Sequence, residues 1–199
     1  MVSHSAGPAT PRRGGARRPR AVFVDRDGTL NPDLVYLADA ERVEVFRGVA
    51  DGLRWLRDHG YLIVCVTNQS GIDRGYYRDA DVDRIHARLN DRLAAQGTAV
   101  DAFYYCPHAP ERGCRCRKPG TLLFEQARDD FGIDPAGSAI IGDHGLDVAA
   151  GERFGLLTAV VMSPGHERFV EAELAAARLT PDIVAQSFAG AACRILARG

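Results

Sequence analysis

Two carboxylates stand one residue apart in the stretch Ala21 to Asn31, AVFVDRDGTLN, where a short apolar run ends. Alternate side chains of an extended segment share a face, so Asp25 and Asp27 are expected on the same side. Two like charges that close repel unless a cation sits between them or one carboxyl keeps its proton. Such a pair suits a nucleophile or metal ligand beside a general acid. An Asx-type turn after a strand accounts equally well for an isolated D-x-D-G, so the choice rests on what the rest of the chain supplies.

Further polar groups close later apolar runs. Thr67 and Asn68 follow Leu62 to Val66, offering an anionic oxygen hydrogen bonds without added charge. Lys118 is the single lysine among 25 basic residues. An ammonium is a compact point charge with three donors, whereas a guanidinium is a broad planar fork, so a tight grip on one phosphoryl oxygen would require lysine here. Asp143 ends another apolar run and Asp147 lies one helical turn on, adding carboxylates for a hard cation such as Mg²⁺, which prefers oxygen ligands.

A second constellation reads Cys106-Pro107-His108, five residues, then Cys114-Arg115-Cys116. Three thiolates and one imidazole form a closed, tetrahedral structural Zn²⁺ set. Such a metal contributes on the order of 10 kcal/mol in isolated peptides, enough to order a loop with little core and to fix Arg117 and Lys118 beside it. Cys65 and Cys193 read as small buried thiols. His59, His86 and His166 have no evident partners and are assigned to the surface.

These groups need a frame. Residues 1–20, rich in Pro, Gly, Ala and Arg, read as a disordered tail, and residues 21–199 as one domain. Apolar strands at Ala21 to Val24, Leu62 to Val66, Ala102 to Tyr105, Ser138 to Ile141, Thr158 to Val161 and Asp182 to Val184 alternate with helices. The helices are placed near Gly48 to His59, Asp79 to Gln96, Thr121 to Phe131, up to Phe154, Glu167 to Arg178, and from Phe188. Strands too apolar to have a wet face, alternating with helices, predict an α/β doubly wound parallel sheet. Ligands of such sheets bind beyond the carboxyl ends of the strands, where Asp25, Thr67 and Asp143 all fall. The inserts after the first two strands are too short for a lid domain.

Composition excludes some partners. With 46% hydrophobic and 26% charged residues and a net charge of -1, nothing draws the chain as a whole to nucleic acid or a membrane surface. No apolar run is long enough to span a bilayer, and the Arg-rich start precedes too short a run for a signal peptide. A cytoplasmic protein is expected.

The motif order resembles that of the haloacid dehalogenase superfamily of phosphotransferases. Its D-x-D-G-T motif stands here as Asp25 to Thr29, its second motif as Thr67, its third as Lys118, and its fourth as Gly142, Asp143 and Asp147. The resemblance implies a capless Rossmann-like core in which Asp25 forms an aspartyl phosphate and Asp27 protonates the leaving oxygen, then activates water. It implies Mg²⁺ held by the carboxylates of Asp25 and Asp143 and the main-chain carbonyl of Asp27, with Thr67 and Lys118 on the phosphoryl oxygens. C-P-H, C-R-C-R-K-P and T-N-Q-S-G-I-D-R-G together resemble the heptose 1,7-bisphosphate 7-phosphatases, which serve nucleotide-activated heptose synthesis and are usually monomeric. By that likeness Asp33 to Tyr36, Thr67, Asn68, Gln69, Ser70, Arg74, Arg117 and Lys118 line the pocket for a small phosphorylated sugar, and Arg117 forks onto the second phosphate.

Two departures qualify the likeness. The stretch from His108 to Cys114 is short, as in the related histidinol-phosphate phosphatases, which lack the S-G-I-x-R-G run. His144 stands where relatives usually carry Lys or Arg, and reads either as an altered substrate contact or as a helix-start residue without function. Histidinol phosphate is therefore the alternative substrate. A zinc-stabilised nucleic-acid-binding module built on the Arg-rich tail and Arg112, Arg115 and Arg117 is the non-enzymatic alternative, opposed by the near-zero net charge.

Overall fold

The structure is a computed structural model and describes residues 2–3, 18–162 and 165–198. Most of the expected tail lies outside these residues. Its described start, β1 (Val2–Ser3), pairs antiparallel with the far strand β4 (Ala102–Cys106), Val2 opposite Tyr104.

The remaining strands are β2 (Arg20–Val24), β3 (Tyr61–Asn68), β5 (Ala139–Gly142), β6 (Leu157–Val161) and β7 (Ile183–Ala185). The sheet order is β1-β4-β3-β2-β5-β6-β7, and every pairing except that of β1 is parallel. The helices are α1 (Val49–Asp58), α2 (Asp79–Ala94), α3 (Leu122–Phe131), α4 (Gly145–Phe154), α5 (Glu167–Ala177) and α6 (Phe188–Leu196). This is the expected doubly wound sheet, with element ends moved by a residue or two. Among the described residues, the segments between β2 and α1 and between β3 and α2 contain one 3-10 turn, Ala40–Arg42, and no lid domain.

β2 lies at the centre, and its alternating side chains feed two cores. Val22 and Val24 join Leu53, Leu56, Ile85 and Leu89 on one face; Ala21 and Phe23 join Tyr104, Leu123 and Phe124 on the other. A strand covered on both faces has no place for a polar residue until it ends, which is why the chemistry begins at position 25. The strand order reverses at β2: the chain runs outward from β2 through β3 to β4, then crosses back to β5 on the other side of β2. That switch point opens the crevice in which such folds bind ligands.

Candidate active site

Asp25 follows β2 directly, and its backbone N–H donates to the Ile141 carbonyl of β5 at 3.0 Å. The β2–β5 pairing therefore sets Asp25 beside Asp143, which follows β5. Gly28 makes the approach feasible: its φ is +79°, and a Cβ there would lie 1.9 Å from Asp143 Oδ2. Only glycine combines that conformation with that clearance. The Thr29 hydroxyl donates to Asp143 Oδ1 at 3.1 Å.

The Lys118 side chain is 2% exposed, and its ammonium has three partners. Asp25 Oδ1 is at 2.9 Å, Asp147 Oδ1 at 2.7 Å and the Val66 carbonyl at 2.7 Å. A tripod of acceptors matches three N–H donors and gives the single lysine its reason. The sequence suggested a grip on a phosphoryl oxygen; here the ammonium ties the nucleophile candidate to Asp147. Asn68, at the end of β3, holds the Lys118 backbone by both amide groups, accepting from its N–H at 3.0 Å and donating to its carbonyl at 3.4 Å.

Asp25, Asp143 and Asp147 bring one carboxylate oxygen each to within 4.8 Å of one another. One lysine neutralises one of three charges. Burial pushes Asp25 up to about 6, against the pull of Lys118 and with the help of Asp147 and Asp27. Burial and the neighbouring Asp25 push Asp143 up to about 7. Buried carboxylates short of positive charge, all oxygen donors, fit a hard divalent cation such as Mg²⁺.

Asp27 is handled differently. Burial raises its pKa, but Arg26, Asn31 and Gln69 outweigh that and hold it below the usual carboxylate range. Arg26 Nε and the Asn31 amide donate to Oδ1 at 3.1 and 2.9 Å; Arg26 Nη2 and the Gln69 amide donate to Oδ2 at 2.7 and 2.8 Å. The Tyr77 hydroxyl donates to Gln69 Oε1 at 2.8 Å, which orients the Gln69 amide. Separate cations, Lys118 for one aspartate and Arg26 for the other, offset part of their mutual repulsion.

A cavity of about 340 Å³ opens over these groups. Asp25, Asp27, Lys118 and Asp147 face it, and Thr67, Asn68, Gln69 and Ser70 come from the end of β3. Asp33, Tyr36, Arg117 and His144 contribute to its wall. Val35 and Tyr36 have φ of 43° and 62°, a rare conformation for side chains of their kind and one that concentrates at functional sites. Of the expected pocket residues, Leu34 and Arg74 do not line this cavity: Leu34 packs against the core, and Arg74 reaches Glu111 at 3.6 Å.

Sequence reasoning missed several participants. Arg26, between the two aspartates, carried no expected role, yet it is fully buried. His86 was assigned to the surface; it is 1% exposed and its ring stacks on Phe103 at 4.3 Å. Its spacing from Val82, Ile85, Leu89 and Leu93, all buried on α2, was the available signal. Glu173 of α5 also lines the cavity and accepts from Gly145 N–H at 3.0 Å. His144 Nδ1 lies 3.2 Å from the same Glu173 oxygen; burial lowers the His144 pKa, and Asp143, Asp147 and Glu173 more than reverse it. Cys65 is buried as expected, whereas Cys193 is exposed because it falls outside the apolar stripe of α6.

Cys106, His108, Cys114 and Cys116 converge. The thiol sulfurs lie 3.2 to 3.5 Å apart, and His108 Nδ1 is 3.2 Å from Cys116 Sγ and 3.6 Å from Cys106 Sγ. Zn–S bonds of about 2.3 Å in a tetrahedron imply sulfur separations of about 3.8 Å. The four side chains fit Zn²⁺ with small outward movements. Arg117 donates to the His108 carbonyl at 3.2 Å, tying this loop to the cavity wall.

Known proteins resemble this chain in sequence and fold. Residues 115–191 match the family model described as HAD-hydrolase-like. The chain is 41% identical over 161 residues to a D-glycero-beta-D-manno-heptose-1,7-bisphosphate 7-phosphatase of Haemophilus ducreyi, covering 77% of this chain and 88% of that one. It is 35% identical over 154 residues to the D-glycero-alpha-D-manno-heptose-1,7-bisphosphate 7-phosphatase of Photorhabdus laumondii, covering 74% and 84%. Among solved structures, a D,D-heptose 1.7-bisphosphate phosphatase from B. bronchiseptica, complexed with magnesium and phosphate, superposes with a TM-score of 0.79 at 29% identity, covering 90% of this chain and 99% of that one. Identity that runs along nearly the whole length of the Haemophilus relative, on a shared fold, places the chain in the heptose 1,7-bisphosphate 7-phosphatase family of haloacid dehalogenase-like phosphoric monoester hydrolases.

Proposed function

We propose that the protein removes the 7-phosphate of D-glycero-D-manno-heptose 1,7-bisphosphate through an aspartyl phosphate on Asp25, in the synthesis of nucleotide-activated heptose. The observation that carries this reading is the position of Asp25: it faces the cavity, is tethered to Lys118 at 2.9 Å, and lies beside Asp143 and Asp147. The names of the similar proteins support the substrate.

An oxygen of Asp25 attacks phosphorus, and the bond from phosphorus to the sugar oxygen breaks. Asp27 must enter this step protonated, against the pull of Arg26, Asn31 and Gln69 on its ionised form, and gives that proton to the leaving alkoxide. Asp27 then removes a proton from water, whose oxygen attacks the aspartyl phosphate, freeing phosphate and restoring Asp25. Both oxygens of Asp27 accept two hydrogen bonds each, which fills the roughly four lone-pair sites of a carboxylate. Exchange with the substrate therefore requires Asp27 to release one of its amide donors, Asn31 or Gln69. The Thr67 hydroxyl donates to an equatorial oxygen as charge spreads over it, and Lys118 does the same by releasing one of its three acceptors. Asp25 and Asp143 would hold Mg²⁺ with the Asp27 carbonyl; when bound it neutralises charge on the phosphoryl group. Cys106, His108, Cys114 and Cys116 would hold Zn²⁺ in a structural role.

Both anomers occur among the similar proteins, so the test compares phosphate release from the α- and β-heptose bisphosphates, fructose 1,6-bisphosphate and histidinol phosphate, with Mg²⁺ present. A preference for one heptose anomer is expected. The short stretch between His108 and Cys114 favours histidinol phosphate as the second reading, and a higher rate on that substrate would replace the first.

A further inference from the structure

Arg26 is a costly residue to place where it is. It is fully buried, and a charge so far from water must be compensated by its partners. Two atoms of its fork, Nε and Nη2, go to Asp27 at 3.1 and 2.7 Å. A third, Nη1, meets His86 Nε2 at 3.3 Å. A guanidinium only donates, so Nε2 must accept, and the His86 proton sits on Nδ1. His86 Nδ1 is buried without a hydrogen-bond partner among the described residues. Phenylalanine would keep the stack on Phe103 and avoid that orphan N–H, so packing alone does not call for histidine here.

Burial and the adjacent Arg26 hold the His86 pKa well below its ordinary value, in keeping with the neutral acceptor that the geometry requires. The pair thus has a direction: α2 presents an acceptor, the acceptor sets the plane of the fork, and the fork sets the plane of the carboxylate. The Asn31 and Gln69 amides complete the cradle, with Gln69 coming from the cavity wall. Arg26 does not line the cavity and acts through Asp27.

We infer that Arg26, braced by His86, is a positioning residue that aims the Asp27 carboxylate at the leaving oxygen. This rests on the reading of Asp27 as the proton donor. A misaimed donor harms expulsion of a poor leaving group far more than that of a good one, because only the former needs a proton in the transition state.

The test compares kcat on the heptose bisphosphate, with its alkoxide leaving group, and the burst of nitrophenolate from 4-nitrophenyl phosphate, in Arg26→Lys, His86→Phe and Asp27→Asn. Folding is verified by circular dichroism. Arg26→Lys is expected to lose ~100-fold on the sugar phosphate and less than about fivefold in the aryl burst. His86→Phe is expected to lose about tenfold with the same selectivity, and it carries the test if the lysine variant does not fold. Equal losses on both substrates, or none on either, while Asp27→Asn discriminates, would overturn the positioning role. A lack of discrimination in Asp27→Asn itself would overturn the reading of Asp27, and this inference with it.

Discussion

Lys118 Nζ lies 2.9 Å from Asp25 Oδ1 and completes its tripod on Asp147 and the Val66 carbonyl. The ammonium holds the proposed nucleophile in one rotamer and offsets charge where the phosphoryl group would arrive. Replacing it should be severe even with an arginine, since a planar fork cannot meet three acceptors disposed around a point. Lys118→Met and Lys118→Arg are both expected to lose at least ~10³-fold in kcat, measured as phosphate release. Recovery of most of the rate in the arginine variant would show that charge alone suffices.

Gly28 and Asp143 approach so closely that a methyl group has no room, 1.9 Å from Oδ2. Gly28→Ala should displace the Asp143 carboxylate and strain the backbone at a positive φ. The expected outcome is at least a tenfold increase in the Mg²⁺ concentration giving half-maximal activity, with a smaller change in melting temperature. An unchanged Mg²⁺ requirement would separate Asp143 from the metal.

Burial and crowding raise Asp25 to about 6 and Asp143 to about 7. For a carboxyl whose folded pKa is raised, the metal-free native state binds more protons than the unfolded chain between about pH 4 and 7, so its contribution to stability falls as pH rises through that window. A cation taking the protons' place reverses the loss. Calorimetry should find Mg²⁺ binding at least about tenfold weaker at pH 5.5 than at pH 8, with proton release on binding at the lower pH. The thermal shift caused by Mg²⁺ should be larger at pH 8.

The cysteine loop adjoins Arg117 and Lys118 in sequence, and the Arg117 side chain donates back to the His108 carbonyl. Cys114→Ser, or a strong zinc chelator, is expected to lower both the melting temperature and kcat, with excess Mg²⁺ restoring neither. Cys193→Ser is the control, since that thiol is exposed and outside the cluster; its melting curve should be unchanged. Equal behaviour of the two variants would remove the structural metal.

The strand and helix order was legible because β2 to β7 are apolar runs closed by polar residues, and position 25 is where the central run stops. The ligand spacing around Cys106 and the motif order around Asp25 named two sets of residues whose side chains converge in the fold. Arg26 was not legible, because nothing in D-R-D tells a spacer from a buried counter-ion; that depends on α2 delivering His86 from sixty residues away. Arg74 failed for the converse reason. Its place in a motif said nothing of the glutamate that draws it off the cavity, Glu111.

The seam between β2 and β5 joins strands more than a hundred residues apart in the chain, Val24 beside Ile141. Asp25, Asp27 and Thr67 arrive from one half, Lys118, Asp143 and Asp147 from the other. Neither half holds a workable set of groups, and neither holds a complete sheet. The molecule is in this sense a split enzyme joined by a connector: cut between α2 and β4, for instance in the turn at Gln96 to Ala99, its two fragments would each be inert. Activity would then report their reassociation.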